Sequence, residues 1–120
     1  MQRGMEFAVS REGTTLITLH GGSDTTARDD ATEQLAATLE RLEDDGTVTA
    51  WTIDDADVYE HPTAPFDPYT ITLEFSITVV VDADDEETAT SIGADAIDDV
   101  LESADVKSVT YTSAPATSTA

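Results

Sequence analysis

Cysteine is absent from this 120-residue chain, which excludes disulfides, thiolate metal sites and thiol nucleophiles. Positive charge is nearly absent too: five Lys and Arg side chains stand against 26 Asp and Glu, for a net charge of −21, and Lys107 is the single lysine. Without a basic patch, direct binding to DNA or to an anionic membrane is not expected. No apolar run approaches the ~18 residues of a spanning helix. The opening stretch MQRGMEFAVSREG lacks a signal-peptide core, so the expectation is a soluble protein that is not secreted by a signal peptide. Hydrophobic residues make up only 39%, yet Leu, Ile and Val fall in periodic runs, which favours a folded domain over disorder.

The acid is spread evenly. Residues 1–60 hold 14 acids and four bases, and residues 61–120 hold 12 acids and one base. Together with abundant Thr, Ala and Asp, this composition resembles that of proteins from halophilic archaea and their viruses, in which acidic surfaces stay hydrated in concentrated salt. The competing reading is a charge-based function, such as mimicry of a nucleic-acid backbone. High charge itself speaks to solubility rather than to fold.

Residues 69–81, YTITLEFSITVVV, organise the rest. Tyr69, Ile71, Leu73, Phe75, Ile77, Val79 and Val81 alternate with Thr70, Thr72, Glu74, Ser76, Thr78 and Val80. This period of two predicts a strand with one buried and one wet face. Its 13 residues exceed the usual five or six, so the strand is expected to bend or to project beyond its domain. Upstream, residues 5–10 read as a short strand, Arg11, Glu12 and Gly13 as a turn, and residues 14–20 as a second strand. Gly21 and Gly22 break it, and Ser23 or Asp24 is placed to cap a helix. Ala27, Ala31, Leu35, Leu39 and Leu42 give that helix one apolar stripe, and Gly46 suits its left-handed exit. Residues 47–59 read as a strand whose alternation fails at Asp54 and Asp55, which predicts a bulge or a bend. The proline-rich residues 60–68 then turn the chain into the long strand. Asp84 and Glu87 form a capping-box-like pair for a second helix. Its stripe is Ala89, Ile92, Ala96, Val100 and Ala104, supported by Ile97 and Leu101, and Gly93 permits close approach to the sheet. A last strand covers 106–112.

Two strand–helix–strand units make an α+β ferredoxin-like sandwich, with a mostly antiparallel four- to five-stranded sheet and both helices on one face. Residues 1–112 form its single domain, the 47–81 hairpin is its longest feature, and 113–120 is expected to be a flexible tail.

Chemistry is sparse. The carboxylates around 54–57 and 82–87 fit no calcium-loop spacing and read as solvated surface. His20 and His61, with Asp24 or Glu60, could form an acid–base pair or supply metal ligands only if the fold brings them together. Neither a nucleophile motif nor a phosphate loop is present, so no catalytic turnover, cofactor or metal is expected. Trp51, Tyr59, His61, Phe66 and Tyr69 gather around the hairpin and its loop. They read either as a small core beneath that loop or as a partner-binding surface, a role for which Trp and Tyr are favoured.

Residues 35–72 also carry a family likeness. A helix, an acidic Gly turn, Val58-Tyr59, Pro62, Pro65-Phe66 and Pro68-Tyr69 resemble the front half of tail-terminator or tail-completion proteins of long-tailed viruses. ITVVVDADDEETATSIGADAIDDVL is similar to that family's second strand, acidic turn and helix. The residues before the first helix are extra, and one long strand replaces two shorter ones. The resemblance implies a ring-forming, non-enzymatic structural or adaptor protein, self-associating and contacting other virion proteins, in a virion or the cytoplasm of a haloarchaeon. A cellular ferredoxin-like ligand-binding or regulatory module, and an acidic inhibitor that imitates DNA, are the alternatives. If the acids serve solvation, transfer from 1 M to 0.01 M salt should lower the melting temperature, because the screening length grows from ~3 to ~30 Å and repulsion goes unshielded. A melting temperature that holds across that range would count against the halophilic reading.

Overall fold

The computed structural model describes residues 4–64, 66–106 and 108–120. Its elements are β1 (Met5–Leu19), α1 (Asp24–Asp44), β2 (Ala50–Glu60), β3 (Tyr69–Ala83), α2 (Glu86–Ser103), β4 (Thr110–Tyr111) and β5 (Ala116–Thr119). The sheet runs β2-β3-β1-β4, with β5 also on β1, and its strand pairs are antiparallel. With both helices packed on the sheet, this is the ferredoxin-like sandwich expected from the sequence.

β1 and β3 pair without a break over all 15 residues, from Met5 opposite Ala83 to Leu19 opposite Tyr69. The expected turn at Arg11, Glu12 and Gly13 is therefore corrected: these residues lie inside one strand. Gly13 is buried there, and a Cβ on it would come within 3.6 Å of the Phe75 ring and 3.1 Å of the Thr110 carbonyl. Arg11 lays its guanidinium 3.9 Å from the Tyr111 ring centre and donates through Nε to the Ser113 carbonyl. Polar or turn-forming residues at these positions thus serve packing. β3, expected to bend or to project, is an inner strand with β1 on one side and β2 on the other, so it does not project as a free edge.

Such strands are ~50 Å long, and neither helix spans that alone. The helices start from opposite ends of the sheet, and their C-terminal ends converge on a cleft lined by Leu42, Val100 and Ala104. The resulting body measures 66 × 25 × 20 Å. Beneath the helices lie Val9, Ile71, Leu73, Phe75, Ile77 and Val79, all buried. In α1 the buried side chains are Ala27, Ala31, Leu35 and Leu39, on the anticipated stripe, and Ser23 caps the first turn by accepting from the Thr26 amide. Gly46 closes the helix at φ 80°. In β2 the register shifts after Ile53, so that Trp51 and Ile53 and then Ala56 and Val58 lie on the helix side. That is the expected bulge.

α2 departs in two details. Its cap is Asp85, which accepts from the Thr88 amide at 2.7 Å, and that bond holds its carboxyl below the ordinary aspartate range. Its buried stripe is Ala89, Gly93, Ile97, Val100 and Leu101, leaving Ile92 exposed. The closest approach to the sheet falls at Gly93, and this rotates the helix away from the stripe expected from Ile92 and Ala96. The last strand is also shorter than expected. Asp105 and Ser108 take left-handed conformations, which interrupt an extended chain, and pairing begins only at Thr110. The expected flexible tail forms β5, with Phe7 opposite Thr119 and Ser10 opposite Ala116. Tyr111 donates to Asp98 Oδ1 at 3.0 Å; burial first, then Asp98, push its phenol to about 12.

A Cβ on Gly93 would sit 2.4 Å from Val9 Cβ and Cγ2. Gly→Ala normally favours a helix by roughly 1 kcal/mol, but overpacking of this kind costs about 1–3 kcal/mol. Gly93→Ala is therefore expected to lower stability in denaturant unfolding, with partial recovery when Val9→Ala is added.

Candidate functional site

The β1 and β3 ends that meet at Leu19 and Tyr69, the start of α1 and the β2–β3 loop come together at one end of the molecule. Two histidines tie the loop down. His20 Nε2 lies 3.0 Å from the Phe66 carbonyl, and His61 Nε2 lies 3.1 Å from Asp24 Oδ2. Residues 46 and 37 positions apart thus meet in pairs. The His61 ring also approaches the Tyr69 ring edge-on, with centroids 6.3 Å apart. Burial, and after it the negative charge of Asp24, raise the Tyr69 phenol above its ordinary value of 10.0. Asp24 is free for these contacts because Ser23, not Asp24, caps α1.

The five candidate residues do not form one cluster. Trp51 sits opposite Ile77, toward the other end of the hairpin, half-buried against the main core. Tyr69 also packs on that core. His61 remains well exposed. Tyr59 is 61% exposed and Phe66 is 92% exposed. Tyr59 is turned outward by a second register shift between Val58 and Glu60, a feature invisible in its alternation pattern. Pro65, part of the same loop, lies outside the described residues. Asp24 and His20 complete the site. Both were candidates by type, but their partners lie too far along the chain for spacing to reveal them.

The arrangement can present an aromatic surface on a fixed loop. The imidazole–carboxylate pair Asp24–His61 is solvent-facing, and among the described residues no group of three His, Asp or Glu side chains is placed to hold a metal ion. A cleft of about 340 Å³ lies elsewhere, between β1, α1 and the end of α2, and Asp105 is its one ionisable lining residue among those described. Among the described residues no helix is long and apolar enough to cross a membrane.

No family model and no curated protein sequence matches the chain. Among solved structures, 99% of the chain is similar to 29% of a hydantoinase/carbamoylase family amidase from Burkholderia ambifaria, at 16% identity and a TM-score of 0.35. AtUAH in complex with glyoxylate, and again with (S)-hydroxyglycine, is similar over 98% of the chain and 29% of that protein, at 13% identity and a TM-score of 0.38. The chain spans less than a third of these proteins, and at such scores the likeness does not support enzyme status.

Asp24→Asn removes one cause of the Tyr69 shift while leaving burial in place. The Tyr69 pKa should then fall part of the way toward 10.0, read by phenolate absorbance in a Tyr59→Phe, Tyr111→Phe background. No movement would mean that Asp24 does not act on the phenol.

Proposed function

We propose that this chain is a non-enzymatic structural or adaptor subunit that assembles with copies of itself through the β2–β3 loop end. The observation that carries this reading is Phe66, 92% exposed on a loop whose backbone is held at that residue by His20. Leaving a Phe side chain in water forgoes roughly 1.5–3 kcal/mol available on burial, and a loop fixed in advance lowers the ordering cost of binding. Tyr59 is the second exposed aromatic of this region, and rigid aromatics are the side chains that most often dominate interfaces. The likeness of residues 35–72 to tail-terminator proteins makes a ring at the neck or tail of a haloarchaeal tailed virus the specific assembly we favour, with other virion proteins as further partners. The absence of a nucleophile motif from the sequence supports a role without turnover.

Mass measurement in molar KCl tests this. The wild type should be a homo-oligomer, and Phe66→Ser with Tyr59→Ser should shift it to smaller species. The melting temperature should barely move, because exposed substitutions usually stay within about 0.5 kcal/mol. Tyr69 is left intact because it packs on the core. A monomeric wild type, or a double variant that assembles normally, would overturn the proposal.

A further inference from the structure

The two outer edges of the sheet are built differently. β2 forms one edge, and it carries Asp54, Asp55, Asp57 and Glu60 and two register shifts, devices that discourage pairing with another strand. Along residues 7–14 of β1 the opposite edge is formed by β4 and β5. It belongs to residues 108–120, 13 positions without Asp, Glu, Lys or Arg, the longest such run in a chain with 26 acids. Just past β5 the Ala120 amide donates to the Glu6 carbonyl, which sets the phase of pairing: residues 116 and 118 of β5 bond to β1. Thr117 and Thr119 therefore turn their amide and carbonyl groups outward, and among the described residues no strand lies beyond them. Around Ser118 the adjoining wet face is uncharged, with Ala8 and Ser10 on β1 beside Ser118 and Ala116 and Thr78 and Val80 on β3 beyond; Glu6, opposite Asp82, and Glu12 flank this patch.

We propose that the β5 edge is a self-recognition surface, pairing antiparallel with β5 of a second copy about a two-fold axis at Ser118. Charge selects this occupant. A cationic partner would gain most on the acidic surfaces, whereas a second copy, itself at −21, meets less like charge along this edge than along the β2 edge, which carries Asp54, Asp55, Asp57 and Glu60. Antiparallel pairing is self-complementary, so Thr117 of one copy exchanges bonds with Thr119 of the other, and the two-fold closes. The sheets of the two copies then run on as one. This contact is separate from the loop end and does not rest on it. A subunit with both surfaces can build beyond a dimer.

The chain's lack of cysteine makes the test direct. In the proposed pairing Ser118 faces its own copy as a non-hydrogen-bonded pair, with Cα atoms about 4.5 Å apart, inside the range a disulfide accepts. Ser118→Cys, oxidised in molar KCl with oxidised glutathione, should link into dimers about tenfold or more faster than Ala50→Cys, an exposed site on the β2 edge, because the two thiols are held together. The linked dimer should melt no lower than the unlinked protein. In a Phe66→Ser background the linking should continue at the same rate, which separates this contact from the loop-end assembly. Linking no faster than Ala50→Cys, a linked dimer that melts lower, or a rate that drops to the control when Phe66 is replaced would each overturn the inference.

Discussion

The uninterrupted pairing of β1 with β3 is the constraint on which the rest of the structure depends. Fifteen consecutive residues of each strand lie opposite one another, so one register decides which side chains face the helices along ~50 Å of sheet. A slip of one residue would send Phe75, Ile77 and Val79 to water and bring Glu74, Ser76 and Thr78 inside. The wet face reinforces the same register through hydroxyl pairs, Ser10 with Thr78 and Thr18 with Thr70; Thr52 with Ser76 does so for β2. Strands of this length in turn dictate the helices. Neither is long enough to cover the sheet alone, and they divide it, meeting at their C-terminal ends near Leu42 and Ala104.

That pairing also shapes the surface. Because β3 is interior, the unpaired edges fall to β2 and to the C-terminal strands, and the two are treated oppositely. Acids and bulges blunt β2, while the other edge has no charge at all. The two strands also end together at Leu19 and Tyr69, which brings His20, Asp24 and the loop into one place. The exposed aromatic surface is thus a consequence of where the strands stop. Nothing about it requires a pocket, and the cleft lined by Thr15, Gln34 and Asp105 lies elsewhere.

Much of this fold was legible because burial writes a period into the sequence. The alternation through Tyr69 to Val81, the Ala27-to-Leu42 stripe, the bulge at Asp54 and Asp55 and the exit at Gly46 all follow from local rules, and each stands where it was expected. What failed was information held by partners rather than by neighbours. Gly13 looks like a turn until Phe75 is seen above it, and Arg11 looks exposed until Tyr111 lies beneath its guanidinium. The segment from Ala116 to Thr119 has no apolar alternation because it is held by backbone bonds to β1, which leave no mark on side-chain choice. The loop end was half legible. Its residue types stood out, but the meeting of His61 with Asp24 and of His20 with Phe66 is set by topology alone.

Amide hydrogen exchange along β1 tests the central claim, that residues 5–19 form a single strand locked to β3. Strand amides buried in a sheet exchange only through larger openings, whereas turn amides exchange readily. A single locked strand predicts comparable slow exchange for the amides that face β3, at residues 7, 9, 11, 13, 15 and 17. A window of fast exchange confined to Arg11, Glu12 and Gly13 would contradict it, showing two short strands joined by a turn and removing the register on which the helices, the edges and the loop end all depend.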